Sequence, residues 1–246
     1  MKVALFVPCY IDQFYPQVAI ATMELLTKLG CNVDFPLNQT CCGQPMANSG
    51  CEKDAISTGM NLVANFTGYD YIVGPSGSCV LHVREHYSKL PQTKEVTKVR
   101  NNIYELSEFL TDILQIQSLE ANFPFKVGLH QSCHGQRGMR LSQCSELNQP
   151  YYSKIVPLLK LVKGIELIEL DRKDECCGFG GTFCVSEEAV SARMGIDRIN
   201  DHIKNGAQYI TAGDSSCLMH LEGLLKRKGS SVRIIHLAEL LNSSIN

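Results

Sequence analysis

The 246-residue chain has no tryptophan and no low-complexity tract. Charge of either sign is not in excess: the formal net charge is −2. That disfavours a nucleic acid or an anionic membrane as partner, since both call for clustered Lys and Arg. No uninterrupted apolar run approaches the roughly 20 residues that a bilayer-spanning helix needs. The opening run, residues 2–8, is too short for a secretion signal. It leads straight into Cys9, and Asp12 follows with no small-residue cleavage site. A buried strand is expected there, in a cytoplasmic protein. Also missing is any tight C-x2–4-C knuckle, the usual mark of a structural zinc site.

Cysteine, by contrast, is abundant, with 12 residues. Disulfide-dense proteins are typically small domains with poor cores. Here the hydrophobic content is an ordinary 44% and the length allows one large domain or two small ones. In a reducing compartment, many cysteines at patterned spacing point to metal or redox chemistry.

The pattern is a repeat. Lys2-Val-Ala-Leu-Phe-Val-Pro-Cys9 aligns with Lys126-Val-Gly-Leu-His-Gln-Ser-Cys133, and Cys41-Cys42-Gly43 with Cys176-Cys177-Gly178. Tyr71-Ile-Val-Gly-Pro-Ser-Gly-Ser-Cys79-Val-Leu-His82 aligns without a gap with Tyr209-Ile-Thr-Ala-Gly-Asp-Ser-Ser-Cys217-Leu-Met-His220. Ile103-Tyr-Glu-Leu-Ser-Glu-Phe-Leu110 aligns with Ile234-Ile-His-Leu-Ala-Glu-Leu-Leu241. The offsets are 124, 135, 138 and 131 residues. Four collinear blocks, three of them carrying cysteine, argue for duplication. The expected repeats are residues 1–120 and 121–246.

Each half alternates strand and helix. Pro16 is well placed at a helix start. Val18, Ala21, Leu25 and Leu29 follow at helical spacing, with Gly30 as the stop. Residues 32–36 form a weaker strand candidate. Ala55, Leu62, Val63 and Phe66 mark a second helix, and residues 69–73 a strand. The second half offers a helix over 155–162 broken by Pro157, a strand over 165–170, a helix around 189–203 and a strand over 209–211. Residues 90–124 hold the end of the first repeat and the linker. The fold class is therefore α/β: two tandem Rossmann-like parallel-sheet units related by internal duplication.

In open parallel sheets, sites gather beyond the carboxyl ends of the strands. Cys9, Cys79, Cys133 and Cys217 all stand just past predicted strands, and the Cys-Cys-Gly triplets in loops after strand-like segments. Each half thus offers four thiols: Cys9, Cys41, Cys42 and Cys79, then Cys133, Cys176, Cys177 and Cys217. The glycine after each pair relaxes the backbone beside the site. Ser78 and Ser216 are placed to donate hydrogen bonds to sulfur. Four thiolates fit a zinc ion or an iron–sulfur cluster. Ligands spread this widely, with vicinal pairs, favour a cluster. Zinc in one site is the alternative, and with it a binding or scaffold module without redox activity.

These residues resemble the Cys-Cys-Gly cysteine-rich domain family, found in iron–sulfur oxidoreductases of the heterodisulfide reductase type. The resemblance covers essentially the whole chain, and a stand-alone pair of such domains is most like the family's lactate-utilisation branch. Between Cys9 and Cys41 lie 31 residues and between Cys42 and Cys79 lie 36; the second-half gaps are 42 and 39. The resemblance implies one or two iron–sulfur clusters, 4Fe-4S in type, and a share in oxidising L-lactate to pyruvate. It also implies two partners, a LutB-like protein with cubane clusters and a LutC-like protein. The family's closing CxxC is replaced by Cys79-Val-Leu-His82 and Cys217-Leu-Met-His220. His82 and His220 are accordingly the further ligand candidates.

The remaining residues draw plainer expectations. Cys31 and Cys144 have no repeat counterpart and read as core or surface; Cys51 and Cys184 read as structural. His130, His134, Arg137 and Arg140 surround Cys133, where an arginine would suit a carboxylate substrate, but a solvated loop is the favoured reading. Gly178-Phe-Gly-Gly181 does not complete a dinucleotide fingerprint.

Overall fold

Short apolar runs between helices bury both faces only in a parallel sheet, and a computed structural model describing residues 1–245 has two of them. The first comprises β1 (Lys2–Leu5), β2 (Asn32–Asp34), β3 (Ile72–Gly74) and β4 (Ile103–Glu105) in the order β2-β1-β3-β4. The second comprises β5 (Lys126–Leu129), β6 (Glu166–Leu167), β7 (Tyr209–Ala212) and β8 (Arg233–His236) in the order β6-β5-β7-β8. All pairings are parallel, with Ala4 opposite Ile72 in one sheet and Gly128 opposite Ile210 in the other. In this order the chain reverses direction across the sheet between the first and third strand of each set, which is where such sheets hold ligands.

The first half carries α1 (Cys9–Phe14), α2 (Pro16–Lys28), α3 (Gln44–Asn48), α4 (Glu52–Phe66), α5 (Gly77–Leu81), α6 (Lys94–Asn102) and α7 (Leu106–Glu108). The second carries α8 (Ile155–Lys160), α9 (Phe183–Ser186), α10 (Glu188–Lys204), α11 (Ser215–Lys228) and α12 (Leu237–Leu241). Pro16 occupies the first turn of α2, as its fixed φ favours. Pro157 does not break α8, contrary to expectation: it lies in the first turn, where no intrahelical N–H is needed. The strand expected over 165–170 shortens to Glu166–Leu167. Residues 90–124 supply α6, β4 and α7. No helix among the described residues is long and apolar enough to cross a membrane.

One core belongs to both halves. Leu25, Leu26, Phe109 and Leu110 pack in the same cluster as Leu158, Leu159, Leu237 and Leu240. Each fully buried side chain of this kind contributes about 1.5–3 kcal/mol, so the halves are held together by burial. Each sheet's other face has its own cluster, around Phe6 and Phe66 in the first half and around Ile199 and Leu221 in the second.

Beside the shared core lies a polar seam. Asp214, the N-cap of α11, is buried and its Oδ1 accepts from Ser76 Oγ at 2.9 Å, Ser78 N at 3.0 Å and Ser78 Oγ at 2.9 Å. Glu105 ends β4 and caps α7, accepting from Ser107 N at 2.7 Å. His236, its counterpart at the end of β8, caps α12 through Nδ1, which accepts from Ala238 N at 3.1 Å. Glu105 and Asp214 share a cavity of about 10 Å³ with Ser132 and Gln136, near the room that one water needs.

Burial, reinforced by the Asp214 carboxylate, lifts the Glu105 carboxyl to about 7 from an ordinary 4.5. A carboxyl whose folded pKa lies above its unfolded value binds its proton more tightly when folded. Its contribution is therefore fully present below about pH 4.5 and lost as the pH rises through about 7. Glu105→Gln keeps the accepting oxygen and cannot ionise. The variant is expected to match the wild type at pH 4 and to exceed it by on the order of 2–3 kcal/mol at pH 8. Urea unfolding at both pH values checks this, and a pH-independent difference would refute it.

Candidate metal centres

The switch point of each sheet is where the cysteines arrive. Cys9 leaves β1 and opens α1; Cys79 leaves β3 and lies in the first turn of α5, where its N–H meets the capping Ser76 Oγ at 3.5 Å. In the second half Cys133 follows β5, and Cys217 lies in the first turn of α11. The Cys-Cys-Gly loops close each set from the side.

The thiols are in contact. Cys9 Sγ and Cys41 Sγ are 3.5 Å apart, and Cys133 Sγ and Cys176 Sγ 3.6 Å. Cys42 bridges Cys41 and Cys79, and Cys177 bridges Cys176 and Cys217. All eight predicted cysteines are thus gathered into two chains of four. Each chain has the same charge logic. Hydrogen bonds from Cys42 and then Cys9 bring Cys41 down to about 3, and those from Cys133 and then Cys177 bring Cys176 down to about 2. The outer thiols move the other way: Cys9 and Cys133 are raised by donating to those thiolates and by burial.

The triplet glycines complete the arrangement. Gly43 N–H and Gly178 N–H each point at the sulfur two residues back, at 3.4 Å in both halves. That requires φ of +88° at Gly43 and +86° at Gly178, the left-handed region that side chains avoid. With only protons on offer, the charge is drawn to Cys41 and Cys176 while their partners Cys9, Cys42, Cys133 and Cys177 hold their protons. All four ionise together only around a cation, because like charges this close suppress one another's ionisation. The donor sets therefore fit a metal centre.

Seven of the eight cysteines, all but Cys41, line one cavity of about 280 Å³. Tyr10 and Phe179 meet edge to face across it with ring centroids 5.9 Å apart. The two sets thus share one opening.

Two expectations are corrected, the hydrogen bond from Ser78 to sulfur and the solvated loop at Cys133. Ser78 does not donate to sulfur; its hydroxyl is held by Asp214 at 2.9 Å. The loop before Cys133 is not solvated. His130 is 1% exposed, and both its ring nitrogens lack a partner among the described residues. Arg137 is occupied by Glu146 and the Asp174 carbonyl, Arg140 is exposed, and neither lines the cavity. His82 is buried and stacked on His86 at 5.0 Å, and burial lowers its pKa to about 4. His220 Nε2 lies 3.3 Å from the Ser191 carbonyl oxygen. The histidine that joins a donor group is one the repeat did not single out: His130, Cys177 and Cys217 have ligand atoms all within 4.8 Å of one another. The available signal was its place at the end of a strand, in register with Phe6 of the first repeat. Cys31 is packed in the shared core and Cys144 is buried; Cys51 is exposed.

The Cysteine-rich domain family, CCG, matches residues 3–84 and 127–222. A protein of Geobacillus thermodenitrificans called Lactate utilization protein A is 41% identical over 98% of this chain and 99% of its own length. The protein of that name from Bacillus subtilis is 38% identical over 99% of this chain and its full length. Among solved structures, a hypothetical protein from Helicobacter pylori superposes with a TM-score of 0.58 at 14% identity. It covers all of this chain, which spans 49% of it; the likeness is one of fold.

The two triplets differ in what surrounds the glycine. A Cβ on Gly43 would lie 3.4 Å from the Ala55 carbonyl oxygen, an ordinary contact, whereas on Gly178 it would lie 2.6 Å from the Ser191 oxygen and 2.7 Å from Met194 Cβ. Gly43→Ala is expected to cost about 1–2 kcal/mol of backbone strain. Gly178→Ala adds a clash with α10 and is expected to cost about 3 kcal/mol or more. Urea midpoints of the two variants measure the difference, and equal losses would refute it.

Proposed function

Because the chain belongs to the cysteine-rich CCG-domain family, we propose that it is the iron–sulfur redox subunit of a multi-protein complex oxidising L-lactate to pyruvate. In this reading it carries electrons on one or two cysteine-ligated clusters of 4Fe-4S type. The observation that carries it is the pair of four-thiol chains, alike in contacts and charge, opening on one cavity. The name shared by the relatives supplies the substrate.

Oxidising lactate to pyruvate releases two electrons and two protons, and iron–sulfur clusters accept and pass on electrons singly. Cys9, Cys41, Cys42 and Cys79 would hold one centre, and Cys133, Cys176, Cys177 and Cys217 the other. The Gly43 and Gly178 N–H groups stabilise the thiolates they face. The cavity's volume suits a small acid. With both arginines engaged or outside, a carboxylate would meet Gln44, Asn48 and His134 and the hydroxyls of Tyr10, Thr182 and Ser216 among the lining donors. Electrons leave to a LutB-like partner with cubane clusters, and a LutC-like protein completes the system.

One observation favours zinc in the second site. The His130, Cys177 and Cys217 donors lie within 4.8 Å of one another, a grouping that a tetrahedral ion accepts. The chain would then be a zinc-stabilised binding or scaffold module.

Anaerobic purification with iron, sulfide and zinc analysis separates the readings. Broad visible absorption with iron and sulfide in equal amounts is expected. Cys42→Ser and Cys177→Ser should each remove about half of both. Colourless protein with stoichiometric zinc in both sets would refute the redox role. Deleting the gene should abolish growth on L-lactate where no other lactate dehydrogenase operates.

A further inference from the structure

The two thiol sets are matched, but the residues behind them are not. The offset that places Lys126 on Lys2 places His130 on Phe6 and Gly128 on Ala4. In α4 and α10, the offset that places Gly195 on Gly59 places Arg198 on Leu62 and His202 on Phe66. In the first half Phe6 and Phe66 meet edge to face at 5.8 Å within an apolar cluster containing Leu62. In the second half that layer is His130, Arg198 and His202, at most 1% exposed. Arg198 is held by Asp201 at 3.1 Å, but its Nε and Nη2 are unpaired, as are both ring nitrogens of His130 and of His202.

Among the described residues that leaves two guanidinium nitrogens and four ring nitrogens buried without partners, at about 1–3 kcal/mol for each unsatisfied group. The surrounding residues nonetheless make room for them. A Cβ at Gly128 would lie 2.2 Å from His202 Nδ1, so the alanine of the first half could not stand beside this histidine. The unpaired imidazole of His130 lies with Cys177 and Cys217, all three donor atoms within 4.8 Å of one another. An orphaned, fully buried nitrogen among thiols has the chemistry of a ligand before its metal arrives.

We propose that His130 is a metal ligand of the second centre through a ring nitrogen, so that the two halves hold unlike centres. The first is bound by thiolates alone, with Phe6 in the matching place. The second adds imidazole to Cys133, Cys176, Cys177 and Cys217. Arg198 and His202 form a positioning layer behind it, the charge of Arg198 acting on His130. This rests on the metal-binding reading of the cysteine sets.

The test uses the full chain, purified anaerobically, reduced, and labelled with ¹⁵N-histidine. Pulsed electron paramagnetic resonance should show directly bound histidine nitrogen on one of two distinguishable centres. His130→Phe, which installs the residue of the first half, should abolish that coupling and leave the other centre's signal unchanged. Loaded centres without histidine coupling in the wild type, or coupling that survives in His130→Phe, would overturn the proposal. Should His130→Phe fail to fold, the conservative His130→Gln is read in the same way, and coupling that survives in it overturns the proposal. If the protein proves to hold zinc, the iron–sulfur reading fails separately. Zinc-edge X-ray absorption of the Cys42→Ser chain then decides: one nitrogen among sulfurs supports His130, and sulfur alone overturns it.

Discussion

Sulfur packed against sulfur is the constraint on which the rest of the molecule depends. At 3.5 and 3.6 Å the thiols of Cys9 and Cys41, and of Cys133 and Cys176, are too close to be ionised together without a counter-charge. The protein answers locally with one backbone N–H per set, and that N–H requires a left-handed glycine immediately after the pair. The Cys-Cys-Gly triplet is therefore one unit: the first cysteine takes the charge, the second bridges to the strand-end cysteine, and the glycine turns its amide back. No other residue adopts that turn without strain, and in the second half none fits the space against Ser191.

The parallel sheet brings such a unit together from distant parts of the chain. Between the first and third strands the crossovers leave in opposite directions, opening a crevice without backbone in it. Cys9 and Cys79 reach it from neighbouring strands, as do Cys133 and Cys217. The starts of α5 and α11, which carry Cys79 and Cys217, are held at the seam, where Asp214 of one half grips Ser76 and Ser78 of the other. That grip aligns the two crevices, and the shared core behind it keeps them aligned. The common cavity is thus a product of the seam as much as of either sheet.

Much of this was legible in the sequence because it is written in spacing. Repeated cysteine blocks after apolar runs located both sets, and the alternation of strand and helix gave the parallel sheets. What escaped depended on three-dimensional neighbours. Pro157 read as a break because periodicity does not say which turn of a helix a proline enters. Ser78 read as a sulfur donor because its partner, Asp214, lies 136 residues away. His130 reads as a loop residue because it is grouped with His134, Arg137 and Arg140 around Cys133, while in space it is fully buried beside Cys177 and Cys217. Its register with Phe6 was visible, but a histidine in a phenylalanine's place gains meaning only once both nitrogens are known to be unpartnered.

The exchange of that buried layer makes the two halves of the molecule unequal. Two identical sites facing one cavity would hold an electron equally well. Here the first set is backed by Phe6, Leu62 and Phe66, which offer no charge. The second is backed by a buried guanidinium and two imidazoles. A fixed positive charge in a low-dielectric interior favours the more negative state of whatever lies beside it. In the proposed redox reading, the buried guanidinium of Arg198 therefore raises the electron affinity of a cluster on the second set over one on the first. Under that reading an electron entering the common cavity comes to rest on the second half, so one buried layer makes the two repeats unequal.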